Sequence, residues 1–359
     1  MGHDPNPPKL STFQQGQNKK LKIGAYRPSP QNSDQARYKT QRFTRKELPI
    51  RVDLRHYMTA VEAQGEIGSC TANAMAGAYE YLAKRTLGES GDVSRLFIYY
   101  NARSLDDETD QDEGTTILNC IQVLQDMGTC PESVWPYDPD LVFEEPHGEA
   151  YEAAINFRLK EAERLEVDLY VMKHCLAEGY PFAFGLPLFE SFMREGNKGI
   201  PMPKTDQEEY LGGHAMLCVG YSEENKVFVV RNSWGEDWGD QGYCYIPYDY
   251  LANPEFNDGD CWVVRSVTDL DFSEGVWFEE DEEIEDAWEE EDDDGEEEDW
   301  EDLSEEDQVL WGQLGWDEDN WNGETDPPDS SEKSWDELTR KERSAAEKLG
   351  YDEESWDES

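Results

Sequence analysis

Gln64-Gly65-Glu66-Ile67-Gly68-Ser69-Cys70 runs directly into Thr71-Ala72-Asn73-Ala74-Met75-Ala76, a glycine-punctuated loop opening a small-residue helix. Gly65 and Gly68 mark the tight loop, and the nearly breaker-free run from Ala72 to Arg85 marks the helix. Cys70 then stands at a helix N-terminus, where unpaired backbone N–H groups and the positive end of the helix dipole favour negative charge. That setting lowers a thiol pKa and raises the thiolate fraction, as a sulfur nucleophile requires. Gln64, six residues upstream across the turn, can aim its side-chain amide at a carbonyl oxygen under attack at Cys70. Together with the Cys70 backbone N–H it makes an oxyanion hole. A small buried cysteine in an alanine-rich helix fits the same residues, so the rest of the chain decides.

A thiolate catalyst needs a base, and the base needs an orienting partner. Of the five histidines, His3 and His56 lie in the N-terminal part, His147 in a Pro/Gly-bounded loop and His174 in an amphipathic segment. His214 follows Gly212-Gly213 and opens the apolar run Ala215-Met216-Leu217-Cys218-Val219-Gly220-Tyr221, at the mouth of a buried strand. The next strand, Val227 to Arg231, runs into Asn232-Ser233-Trp234-Gly235-Glu236-Asp237-Trp238-Gly239-Asp240-Gln241-Gly242-Tyr243. A hairpin across the Ser222 to Asn225 turn returns Asn232 to the level of His214. There its amide accepts from one ring nitrogen and fixes the tautomer, while Trp234 shields the contact from water.

The order Gln, Cys, His, Asn, the Q-x5-C spacing and the N-S-W-G-x-x-W-G-x-x-G-Y string resemble the papain family of cysteine peptidases, over roughly residues 50 to 268. Ser94 to Asn101, Cys130 to Tyr137, Gly212 to Ala215 and Val230 to Gly235 are similar to its short bacterial-type branch. Cys70 and His214 are 144 residues apart, within the about 130 to 150 of papain-type enzymes. The resemblance implies an α+β fold with a helical left lobe, a β-barrel-like right lobe and an active-site cleft between them. It implies Cys70 as nucleophile, His214 as general base and then acid, Asn232 as orienter and Gln64 as oxyanion donor. It also implies Gly114, Gly213 and Trp234 as substrate-binding positions, with Gly114 pairing its backbone with an extended peptide. Three positions depart from the family: Thr71 stands where many members have Trp, Gly213 where plant enzymes have Asp, and Ile67 where a disulfide cysteine is usual.

Charge divides the 359 residues sharply. Residues 1–49 carry 10 Lys+Arg against 3 Asp+Glu, and residues 271–359 carry 5 against 40, out of a total of −52. The chain reads as a basic Pro-rich arm (1–49), an acidic peptidase domain (50–270), an acidic linker (271–299) and a repeat region (300–359). About 220 residues of domain are ample for a sizeable core. This field repels phosphates, so no nucleic-acid partner is expected. No apolar run reaches the about 20 residues of a membrane span, and Met1 to Asn6 opens no signal-peptide core, which predicts a soluble, intracellular protein away from membranes. Beyond Cys70, the cysteines at 120, 130, 175, 218, 244 and 261 show no zinc spacing and read as buried free thiols. No cofactor or metal is expected.

The composition of the arm fits a leader without packed structure. A basic, proline-stiffened segment can also lie along an acidic cleft in cis and inhibit it. Pro49 to Leu54 predicts the first strand of the domain; helices follow around Ser94 to Arg103 and Thr116 to Met127, the latter ended by Gly128, and residues 148–178 read as helical. The acidic loop Asp106 to Glu113 reads as solvated. From Pro181 the period shortens to strands, including Cys244 to Pro247 and Cys261 to Val267. In the tail, the Trp/Leu-Gly pattern of 300–321 recurs in 335–356 at an offset of 35. Ser304 with Asp307 and Thr339 with Glu342 have capping-box spacing, and Gly315 and Gly350 suit C′ positions. Each copy predicts a small helical module with a minimal Trp/Leu core, ordered by docking and offering a surface to a protein partner. The function these residues predict is hydrolysis of peptides or proteins through a Cys70 acyl-enzyme. The competing functions are a transamidase with the same triad, and a silent peptidase-like scaffold whose acidic Trp-rich tail binds partners.

Overall fold

In the computed structural model, the small-residue run forms helix α1, Cys70–Leu87, which begins on the cysteine itself. The structure describes residues 11–15, 19–30, 35–87, 91–193 and 199–267 and, past 304, residues 305–317, 320, 328, 330, 333–335, 338–349 and 356. Every residue from Cys70 to Leu82 is buried, so α1 is surrounded rather than amphipathic. Ala72, Ala74, Ala76 and Ala78 let neighbours approach it from all sides. Helices α2 (Arg95–Ser104) and α3 (Ile117–Asp126) pack on it and on each other. Ser94 and Thr116 cap them by accepting the N–H groups of Phe97 and Asn119. Gly128, at φ +91°, ends the α3 segment; a Cβ there would meet the Ala154 carbonyl oxygen at 2.0 Å.

The other wall of α1 is an antiparallel sheet. Its strands are β3 (Arg51–Asp53), β4 (Leu159–Arg164), β5 (Phe182–Phe189), β6 (Tyr210–Ser222), β7 (Val227–Arg231), β8 (Tyr243–Pro247) and β9 (Cys261–Val267). They run in the order β4-β9-β5-β6-β7-β8, with β3 beside β6. β6 carries the apolar run after His214 and is buried from Gly212 onward, as a strand covered on both faces must be. It puts His214 opposite Leu186 on β5, and the β6–β7 hairpin brings Asn232 back beside it. This is the α+β, two-lobe architecture that the sequence predicts.

The segment 148–178 differs from its helical reading: α4 (Gly148–Ala154) and α5 (Leu169–Ala177) flank the strand β4. Leu159 and Arg164 are buried while Lys160 and Glu161 are exposed. Of the described strands, β4 pairs with β9 alone, at the sheet edge, where charged side chains stay in water; its Arg164 also bridges Arg37. All seven cysteines are free and buried. Among the described residues no helix is long and apolar enough to cross a membrane, and no group of three or more His, Cys, Asp and Glu could hold a metal ion.

The N-terminal region is ordered in its described parts. β1 (Ser11–Gln15) pairs with β2 (Lys19–Ile23), and Ile23, Gly24, Ala25, Tyr26 and Ser29 are buried against the domain. Further on, His174 of α5 accepts the N–H groups of Arg42 (3.2 Å) and Phe43 (3.0 Å) at Nε2. Its Nδ1 lies 2.6 Å from Tyr38 Oη, whose own hydroxyl donates to Glu178. Composition missed this because a few apolar residues and paired charges, rather than overall hydrophobicity, do the docking.

That histidine makes the docking pH-sensitive. Burial holds its imidazole below the ordinary value, the Arg265 and Arg42 charges add to this, and Glu178 opposes it. Stability from a depressed imidazole is fully present above the undocked value of about 6.5 and is lost as pH falls through the docked value. Protonated Nε2 can no longer accept from Arg42 and Phe43. Hydrogen-exchange protection of those two amides, corrected for intrinsic rate, is expected to fall between pH 7 and 4.5. Constant protection would contradict it.

The chain divides into two compact units, Met1–Trp277 and Phe278–Ser359. Among the described residues, the first ends its helices with the short α6 (Tyr248–Leu251); in the second, α7 (Glu305–Gln313) packs on α8 (Arg340–Leu349). Leu310 and Leu314 share one core with Trp335, Leu338, Ala345, Ala346 and Trp356, so the two repeats build a joint core where the sequence suggested one core each. A single short helix has too little apolar surface to do so alone. Thr339 and Glu342 form a reciprocal capping box, and Gly315 sits at φ +95° after α7. Ser304, Gly350 and the acidic linker 271–299 lie outside the described residues.

Candidate active site

Cys70 opens α1 and faces β6, where the Ala215 backbone, next to His214, bonds its sulfur. His214 is fully buried, and its Nε2 lies 2.8 Å from Asn232 Oδ1. Because an amide oxygen only accepts, Nε2 carries the proton and Nδ1 keeps its lone pair. Nδ1 is buried and makes no hydrogen bond to the described residues. Trp234 lies over the imidazole, with ring centroids 4.9 Å apart and planes 30° from parallel. It is itself buried, so it shields the His214–Asn232 pair.

Gln64 belongs to the same network. Asn232 Oδ1 also accepts the Ser233 N–H at 2.8 Å, and Ser233 Oγ donates to Gln64 Oε1 at 2.6 Å. With Oε1 held, the Gln64 amide hydrogens point the other way, to the carbonyls of Ile67 (2.9 Å) and Lys22 (3.4 Å). His214, Asn232 and Gln64 thus form one hydrogen-bonded chain through Ser233, which the N-S-W-G string contained without revealing its part. Tyr137 steadies the loop by donating to the Gln64 carbonyl at 3.0 Å.

Gly114 and Gly213 face each other across residues of the N-terminal arm. Tyr26 N–H donates to the Gly213 carbonyl (3.3 Å), and Arg27 N–H to that of Thr115 (3.2 Å). Gly114, at φ +83°, touches Ala25 so closely that a Cβ would lie 1.5 Å from its carbonyl oxygen. Lys22 N–H bonds the Gly65 carbonyl, and the Lys22 ammonium pairs with Asp112. Arg27 pairs with Glu108 (2.7 Å) and Asp106 (3.3 Å). The acidic loop read as solvated therefore holds the basic arm. Asp112 does more: it accepts from Gly68 N–H (2.9 Å) and Tyr99 Oη (2.6 Å), fixing the loop before Cys70. No sequence signal pairs Asp112 with residues this distant.

The thiol corrects one expectation. Burial pushes Cys70 up to about 11, against the pull of the Ala215, Thr71 and Cys70 backbone amides. Burial likewise drives His214 down to about 4, opposed by the Asn232 bond. The helix N-terminus acts in the predicted direction but is outweighed by desolvation in a covered site. With the thiol above the imidazole, both are neutral in this form.

Comparison with known proteins agrees with this geometry. The papain family cysteine protease family matches residues 48–258. An uncharacterized peptidase C1-like protein, L477 of Acanthamoeba polyphaga mimivirus, is 39% identical over 234 residues, 60% of this chain and 75% of that protein. Cathepsin K of Gallus gallus is 28% identical over 210 residues, 55% of this chain and 58% of its own. Among solved structures, xylellain, a cysteine protease from Xylella fastidiosa, superposes with a TM-score of 0.62 at 34% identity, covering 71% of this chain and 98% of that one. With helical lobe, antiparallel sheet and a cysteine, histidine and asparagine brought to one place, the chain belongs to the papain family of cysteine proteases and is a cysteine peptidase.

Proposed function

We propose that the enzyme hydrolyses peptide bonds through an acyl-enzyme on Cys70, with His214 moving the proton and residues 22–27 closing the cleft in cis. The observation that carries the mechanism is the 2.8 Å His214–Asn232 bond, which leaves Nδ1 as the only basic ring atom. Nδ1 takes the Cys70 proton as sulfur attacks the scissile carbonyl. Gln64 Nε2, released from the Lys22 carbonyl once the arm leaves, and the Cys70 N–H stabilise the oxyanion. The imidazolium then protonates the leaving amine, and water, activated by the same nitrogen, releases the acid and regenerates the thiol. Extended peptide backbone bonds Gly213 and Thr115, the groups that now hold Tyr26 and Arg27.

The closed form is supported by those contacts and by the two depressed reactivities. A thiol near 11 and an imidazole near 4 both stay neutral at neutral pH. Departure of the arm readmits water, relaxing both desolvation shifts toward each other. Hydrolysis of a mixed peptide library by the full chain, compared with Cys70→Ala, tests the assignment: equal rates would sink it. Gln64→Ala is expected to lower kcat by about 10²-fold with KM little changed, the usual loss of one oxyanion donor. Ser233→Ala, acting only through Gln64, is expected to cost about 10-fold. Steady-state kinetics would show an error if KM rather than kcat carried either loss.

A further inference from the structure

The geometry points to the pocket filled by Tyr26 as the selecting pocket for substrate, and to a tyrosine side chain, recognised by Asp260, as what it selects. This rests on the peptidase reading above. The slot exists because two side chains are missing. A Cβ on Gly185 of β5 would lie 1.9 Å from Tyr26 Cζ, and one on Gly213 of β6 would lie 2.7 Å from Tyr26 Cδ1. Any larger residue at either position closes the space a flat ring occupies. Gly213 directly precedes His214, so a side chain entering here comes from a residue close to the bond being cut.

The end of the slot is polar. Tyr26 Oη donates to Asp260 Oδ2 at 2.9 Å, and Ser29 N–H donates to the same oxygen at 2.9 Å. Trp262 Nε1 holds Oδ1 at 2.7 Å, which fixes the carboxylate's orientation independently of the arm. Asp260 is 1% exposed. When the arm leaves, Oδ2 loses both donors at once, and a side chain that refills the slot without a donor buries it unsatisfied. An unsatisfied buried acceptor is costly, so a ligand bringing a donor to that point is favoured over one that does not.

Arg164 donates to the Gly259 carbonyl at 2.8 Å and lies 5.7 Å over the Trp262 ring, so one guanidinium stands beside the two carboxylates Asp258 and Asp260. The seated ring, rather than charge, argues for a neutral donor, because its hydroxyl already meets Asp260. A tyrosine hydroxyl supplies the donor without charge and reproduces the ring already seated.

The test uses the full chain carrying Tyr26→Ala, which empties the slot, and peptides differing only in Tyr, Phe, Arg or Ala at each position near the cleaved bond. At one fixed position kcat/KM for Tyr is expected to exceed that for Phe by about 10-fold or more, since a site built around a hydroxyl discriminates against its absence. Adding Asp260→Leu is expected to bring that ratio to about 1. Adding Gly185→Val is expected to lower Tyr relative to Ala by about 10-fold or more. Phe equal to Tyr, Arg above Tyr, or a Tyr preference that survives Asp260→Leu would overturn the inference. If Asp260→Leu cleaves nothing, the Gly185→Val ratio decides alone, an unchanged Tyr/Ala ratio counting against it. No cleavage of any peptide above the Cys70→Ala background would instead overturn the peptidase reading itself, and this inference with it.

Discussion

Cys70→Ala is expected to reduce peptide hydrolysis by about 10⁵-fold or more, to the level of the uncatalysed background plus whatever binding and the oxyanion donors retain. The size follows from the arrangement. His214 has a single basic nitrogen free, and its other nitrogen is committed to Asn232 at 2.8 Å. Without the sulfur, that nitrogen has no nucleophile of the protein to deprotonate. His214→Ala is expected to cost nearly as much, and the double variant no more than either single one, because the two act as a unit. Additive losses in single-turnover kinetics would mean that the residues work independently.

Tyr26→Ala is expected to change activity in the opposite direction, raising kcat/KM of the full chain by about 10-fold or more. Tyr26 is the arm's buried aromatic anchor: its ring fills the Gly185–Gly213 slot and its hydroxyl bonds Asp260. Truncating a buried aromatic to alanine costs about 3–5 kcal/mol, and each 1.4 kcal/mol is a factor of ten in an equilibrium. Here most of that cost falls on the docked arm, since the ring contacts the domain only when the arm is down. Ile23, Ala25 and Ser29 stay buried without that ring, while the ion pairs of Lys22 and Arg27 with Asp112, Asp106 and Glu108 are partly exposed and hold less strongly. Unchanged or reduced activity in progress curves would show that residues 22–27 do not limit access to Cys70.

How much of this was legible in the sequence depends on the range of the interaction. The helix at Cys70, the strand after His214 and the return of Asn232 are set by local pattern: glycine punctuation, an apolar run and a tight turn. The helix and the return are in the structure as read; the strand begins earlier, at Tyr210, and takes His214 inside it. β4 was hidden because Leu159-Lys160-Glu161-Ala162-Glu163-Arg164 carries edge-strand charges that resemble a solvated helix. Contacts that depend on long-range placement left no local trace. Asp112 meets Gly68 and Lys22, Ser233 meets Gln64, and Tyr26 meets Asp260 across 234 residues. The thiol went the same way: the helix terminus was visible at Cys70, whereas the burial that outweighs it comes from elements distant in sequence.

The most direct test of the central claim is intact and peptide mass spectrometry of the full chain after reaction with an epoxide or vinyl-sulfone peptide probe, alongside Cys70→Ala and Tyr26→Ala. The predicted result is one adduct, on Cys70, forming faster in Tyr26→Ala and absent from Cys70→Ala. An adduct on another residue, or peptide hydrolysis persisting in Cys70→Ala, would contradict it.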